Sequence, residues 1–186
     1  MALLLHAEAN FTALIATECS TFVHVNTGTS KRSDAMPDGD VAVPSVQKGN
    51  GLAACSCLFA LVVTLLEGTF LLEQPGSSVL MKTERMQWLV GVLEGLHASI
   101  YRQLFWMSGW GHKYPKRTAL WSNSPGIRVF TTTKLALSHL KMQEPTMRKY
   151  VSKSGKDGYT ANQKVLKDTE QLWRIYIGLT FDIIMV

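Results

Sequence analysis

The stretch Phe70-Leu71-Leu72-Glu73-Gln74-Pro75-Gly76-Ser77-Ser78 decides the fold. An apolar run stops on an acid, then an amide, a proline and small residues. Strands covered on both faces read as continuous apolar runs, so this is the carboxyl end of a buried parallel strand feeding a functional loop. Thr69 to Leu72 is the strand. Upstream, Leu52 to Leu66 is the most hydrophobic segment, with Asn50 placed to cap it, which predicts a buried helix from about Gly51 to Glu67. Before that, Thr12-Ala13-Leu14-Ile15-Ala16 reads as a second short buried strand. Strand, crossover helix and strand form a βαβ unit with parallel strands, whose carboxyl ends share one edge of the sheet. Ligand sites of open α/β sheets form at that edge. Cys19 and Glu73 both sit just past it.

The remaining segments are arranged around this unit. Asn26 to Lys48 is polar and punctuated by Gly28, Pro37, Gly39 and Pro44, a loop by composition and a long one for a compact domain. Met86, Leu89, Leu93, Leu96, Ile100 and Leu104 repeat at three and four, predicting an amphipathic helix from Arg85 to Leu104 with His97 on its surface. Leu104–Met107, the centre of Lys116–Asn123, and Ile127–Thr131 read as short strands, with the loop Ser108–Pro115 between the first two. Lys149–Gly158 reads as a flexible excursion, Gln163–Leu172 as a helix, and Ile175–Val186 as an apolar segment that packs back on the body.

The 186 residues suit one domain, with 46% hydrophobic and 18% charged residues marking a globular body. The net charge of +5 is uneven: residues 1–133 carry ten Lys/Arg against nine Asp/Glu, and residues 134–186 carry nine against five. The basic end suits nucleic acid, an anionic surface, or plain solvation. This divides the chain into a core at 1–133 and a basic carboxyl-terminal extension at 134–186. Three cysteines, Cys19, Cys55 and Cys57, form no disulfide framework, and their spacing suits no metal, so an intracellular, reducing setting is expected over secretion. Met1–Ala16 lacks the basic start of a signal peptide. Leu52–Leu66 is fifteen residues long, short of the ~20 that span a membrane, so a membrane partner is not expected.

Each candidate residue has two readings. Cys19 is a nucleophile or a small buried residue at a strand end. Glu73 is a site acid at the strand's end, or a helix-cap or turn acid beside Pro75. Lys116 and Arg117 contact phosphate or mark a solvated junction. Trp106, Trp110 and Trp121 stack on bases or pack.

Three segments together resemble a known family: Glu18-Cys19-Ser20-Thr21-Phe22, Leu72-Glu73-Gln74-Pro75, and Pro115-Lys116-Arg117-Thr118-Ala119-Leu120-Trp121-Ser122-Asn123. Their order and contexts are similar to the catalytic half of cytosine-C5 DNA methyltransferases of the phage and algal type, over about residues 11–130. The resemblance implies a partial Rossmann-like α/β sheet of mostly parallel strands flanked by helices. It implies DNA as partner, S-adenosylmethionine as cofactor, and a cytosine flipped out of the duplex. By position, Cys19 is the thiol that attacks the ring and Glu73 the acid that contacts it, with Arg117 at the pocket or backbone. Lys116, Arg117, Trp121 and Asn123 face nucleic acid, and Gln74, Pro75 and Ser77 form the loop after the strand.

The chain departs from the family in three places. Glu18 stands where proline precedes the cysteine, and a neighbouring carboxylate disfavours a thiolate. Gln74 stands where asparagine is usual. The glycine-rich cofactor loop has no counterpart upstream, and neither Gly49-Asn50-Gly51 nor Gly109-Trp110-Gly111 replaces it. The expectation is a degenerate, incomplete methyltransferase-like chain, inactive alone. Its Thr12–Ala16 strand then has an open edge. Residues 1–10, the carboxyl-terminal segment or a partner chain must cover that edge. The alternative is a non-catalytic α/β module binding nucleic acid or a protein.

Overall fold

The computed structural model describes residues 10–110, 116–131, 147–151, 157–161 and 183–185. Expectations for residues 1–9, for the loop at 111–115 and for the helix at 163–172 lie outside this set, as does most of the apolar segment from 175. The described residues fall into two compact units. The first holds 10–103, 119–130 and 183–185. The second holds 104–110, 116–118, 131, 147–151 and 157–161. The grouping interleaves along the chain, where the composition suggested one boundary at 133.

The protein is mixed α/β. A sheet has the strand order β3 (Tyr101–Trp106), β4 (Arg117–Ser122), β2 (Thr69–Pro75), β1 (Thr12–Ile15), β7 (Ile183–Met185). β1 is parallel to β2, pairing Thr12 with Thr69 and Ile15 with Leu72. All four residues of β1 are buried. On its other side β1 pairs in parallel with β7, Thr12 opposite Ile183 and Leu14 opposite Met185, so the chain's own carboxyl-terminal strand takes that edge. The sheet is not mostly parallel as expected. Asn123, one residue past β4, binds Phe70 and Gly68 at the amino end of β2, so these neighbours run in opposite directions. In the second unit, β5 (Met147–Val151) and β6 (Asp157–Ala161) pair antiparallel, Lys149 opposite Tyr159. Strand pairing therefore holds both ends of the segment expected to be a flexible excursion.

The crossover helix starts earlier than its apolar run suggests. α2 spans Pro44–Leu65, with Pro44 in the first turn, where a missing N–H costs nothing. Asn50 is not its cap but a buried residue inside it. At 22 residues α2 is long and apolar enough to cross a membrane by length and composition. It packs against β1, β2 and the third helix, burying Ala53, Cys57, Ala60 and Val63. Being apolar all round, it also leaves Leu58 and Leu65 55% and 60% exposed, so it is less deeply buried than expected.

That third helix, α3, spans Glu84–Gly95 and buries Met86, Leu89 and Leu93. It stops two residues after Leu93, although the apolar spacing continues. His97 adopts a left-handed φ of 57°, and Ala98 N–H bonds back to the Leu93 carbonyl at 2.8 Å, a closing turn that ends the helix. Ile100 and Leu104 are therefore not on it. Leu104 belongs to β3 with Tyr101, Phe105 and Trp106, residues that favour a pleated surface. Pro125–Val129 forms a 3₁₀ turn, not a strand, because Ser124 accepts from Gly126 N–H and Pro125 fixes the first turn.

The long link between β1 and α2 is ordered by a buried cation. His24–Asn26 and the single turn α1 (Thr27–Ser30) lead into Arg32, which is 1% exposed. Its guanidinium donates to the Pro37 carbonyl at 2.6 Å and to Asn50 Oδ1 at 2.8 Å, and lies 3.9 Å from the centroid of the Phe22 ring. Asn50 returns a bond to the Asp38 carbonyl. Two glycines make the room. A Cβ on Gly49 would stand 3.2 Å from Arg32 Nη2, and Gly39 takes a φ of +68° with the Arg32 stem against it.

Arg32→Ala strands two acceptors in a closed site, and such losses run to about 3 kcal/mol. Urea denaturation is expected to show the midpoint falling accordingly, with little rescue by Arg32→Lys, which cannot reproduce the fork. An unchanged midpoint would remove Arg32 as the anchor.

Candidate functional site

The parallel register fixes the site's frame. With Ile15 opposite Leu72, the residues that follow each strand leave from the same edge. β2 runs further than expected, through Pro75, so Glu73 and Gln74 are strand residues and the turn begins at Gly76. Alternation along a strand sends their side chains to opposite faces.

Gln74 is fully buried and ties the two loops together. Its Nε2 donates to the Thr17 carbonyl at 2.6 Å, and its Oε1 accepts from the Ser78 hydroxyl at 2.9 Å. The length of the glutamine side chain spans this gap. A second tie lies further out, where Val79 N–H bonds the Phe22 carbonyl at 2.9 Å and Val23 bridges to Ser78. The Thr17 hydroxyl also shares a bond with Ser56 of α2. The Cys19 loop is therefore held by β2, its turn and the crossover helix together.

Within this frame Cys19 is half-buried, and its carbonyl accepts from Phe22 N–H at 2.9 Å in a tight turn. Glu18 is about half exposed and forms an ion pair with Lys48 at 2.8 Å. That contact, then the Ser20 hydroxyl, holds its carboxyl below the usual range. Glu18 thus stays ionised beside the thiol, with Lys48 offsetting part of its charge. Glu73 is 9% exposed at the strand end. Pro75 is half-buried and Ser77 exposed in the turn.

The third segment lands differently. Arg117 is exposed at the start of β4, and the Lys116 carbonyl accepts from Met107 N–H; both belong to the second unit. Trp121 is 7% exposed, with the Arg102 guanidinium over its ring at 5.6 Å. Asn123 commits its amide inside the fold, accepting from Phe70 N–H and donating to the Gly68 carbonyl and the Thr64 hydroxyl. These two side chains hold β4 to the body. Among the described residues no three His, Cys, Asp or Glu side chains converge to hold a metal.

Sequence reading missed Arg32, Lys48 and Asn50, the residues that fix the loop behind Cys19. The one local signal was Gly49-Asn50-Gly51, small and polar residues at the head of an otherwise apolar helix. No protein-family model matches the chain, and no curated protein or solved structure matches it either.

Two outcomes follow from this geometry. Gln74→Leu leaves the Thr17 carbonyl without its donor. Hydrogen exchange is expected to rise at Thr17–Phe22 and stability to fall by about 1–2 kcal/mol, the usual cost of a lost buried bond. Unchanged exchange there would show that the tie carries no load. Cys57 is buried against Met86, and burial pushes its thiol up to about 11. The folded state then holds this proton more tightly than the unfolded chain, whose thiol titrates near 9. Its contribution is complete below pH 9 and lost as pH rises through 11. Iodoacetamide at pH 8 should label exposed Cys55 and spare Cys57; equal labelling would contradict the burial.

Proposed function

We propose that this chain is a degenerate DNA cytosine methyltransferase-like module with a partial Rossmann-like sheet. It recognises cytosine at the carboxyl edge of β1 and β2 but does not transfer a methyl group alone. The observation that carries this reading is the stitched pair of loops, Gln74 bonded to Thr17 and Val79 to Phe22, which holds Cys19 and Glu73 on one edge. The Glu73 side chain accepts a hydrogen bond from the exocyclic amine of cytosine and opposes the carbonyl that thymine presents there. Cys19 in the adjoining loop faces the ring. The sheet's rim meets the backbone.

The same geometry argues against turnover by this chain by itself. Glu18 keeps a negative charge next to Cys19, which disfavours the thiolate needed for attack. S-adenosylmethionine does not fit the described residues. The turn after β1, Thr17-Glu18-Cys19-Ser20, has no glycine to let the backbone approach a cofactor, and the turn after β2 is closed by the Ser78–Gln74 bond.

The test is fluorescence anisotropy with a duplex carrying one mispaired cytosine and a matched duplex with thymine there. One hydrogen bond gained and one repulsion avoided favour cytosine by about tenfold or more. Glu73→Gln is expected to erase the preference. Equal affinity in the unaltered chain would overturn cytosine recognition. Methyl incorporation from labelled S-adenosylmethionine would overturn the inactivity.

A further inference from the structure

Charge is segregated along this chain in a way the cytosine reading does not use. From Gly95 to Gln143 there are seven Lys/Arg and no Asp or Glu. Every ion pair among the described residues lies before that stretch: Lys48 with Glu18, Lys82 with Asp34, and Arg85 with Asp38. Cations in the first half are compensated by acids on the loop after β1. In the acid-free stretch, exposed Arg102 and Arg128 have no carboxylate within ion-pair distance and make no hydrogen bond among the described residues.

Both arginines are nevertheless held in place. The Arg128 guanidinium lies 5.3 Å from the Tyr101 ring centroid, and that of Arg102 lies 5.6 Å from that of Trp121. A cation over a ring face is attracted by the ring, and this contact uses none of the five N–H donors of the fork. Tyr101 and Arg102 are the first two residues of β3, so their side chains leave opposite faces of the strand. The two guanidinium groups therefore flank the amino end of β3, braced and with their donors unspent.

We propose that this pair, Arg102 and Arg128 at the amino end of β3, is a contact surface for the sugar–phosphate backbone of a nucleic acid. A planar fork matches phosphate oxygens two at a time, and pre-setting it on a ring reduces the entropy lost on binding. The outer face of a stacked guanidinium also accepts an unpaired base. An anionic membrane is the weaker match, because the two arginines stand on a strand and a 3₁₀ turn and not on the basic face of an amphipathic helix. The surface is separate from the Cys19–Glu73 edge and does not require cytosine recognition.

The experiment titrates the full chain into a fluorescein-labelled single-stranded oligonucleotide and a duplex over a salt series, with anionic phosphatidylserine vesicles as a parallel arm. Both arginines are exposed, so Arg102→Gln and Arg128→Gln should fold; circular dichroism checks this. The double variant is expected to bind at least tenfold more weakly, with the slope of log affinity against log salt reduced by about one to two. Both oligonucleotides carry no cytosine, so a failure of the cytosine reading leaves this outcome untouched. Wild-type binding that the double variant retains would overturn the proposal, as would vesicle binding without oligonucleotide binding or no binding at all.

Discussion

Two neighbouring strands that run the same way cannot be joined by a tight turn. β1 and β2 are such a pair, and most of the first unit follows from that. The chain must leave the carboxyl end of β1, cross a face of the sheet and return to the amino end of β2. α2 makes the return journey, which is why it packs on both strands and is apolar beyond one stripe. The outward journey is the segment from Thr17 to Val43, tied to β2 and its turn near its start. Parallel pairing also places the two strand exits side by side, which brings the Cys19 loop against the Gln74 turn.

Magnitudes decide what holds the outward segment. Its three ion pairs, through Glu18, Asp34 and Asp38, are all substantially exposed. Such pairs contribute about 0–1 kcal/mol each and weaken with salt. Arg32 is in another regime. It is nearly absent from solvent, forked onto a backbone carbonyl and an amide, and stacked on Phe22. Removing one partner from such a closed polar cluster costs several-fold more than any surface pair, about 3 kcal/mol. The loop behind Cys19 is thus ordered from within, and the surface charges tune it. For the proposed cytosine recognition, a loop already fixed loses little entropy when a ligand arrives.

The βαβ unit was legible because its signals are local and continuous. Thr12–Ile15 and Phe70–Leu72 are unbroken apolar runs, and the helix between them has no charge from Gly49 to Leu66. The end of α3 was not legible, since apolar spacing persists through Leu96, Ile100 and Leu104. The choice between helix and strand at Tyr101 falls to pairing with β4, a contact distant in sequence. Asn123 was expected to face nucleic acid because its segment resembles the methyltransferase strand. Its role depends on β4 running against β2, and no local pattern encodes strand direction. Arg32 was invisible for a similar reason: its burial needs Gly39, Gly49 and Asn50, and only the folded loop brings them together. Cys19 and Glu73 follow the one feature that the sequence states plainly, the ends of two buried parallel strands.

The most direct test of this account is backbone chemical-shift mapping of the isotopically labelled chain during a titration with cytidine 5′-monophosphate. If the stitched edge is the recognition site, the largest changes arise together at Cys19–Phe22 and Glu73–Ser78, and saturate with one affinity. Changes confined to one of these loops, or centred away from both, would contradict it.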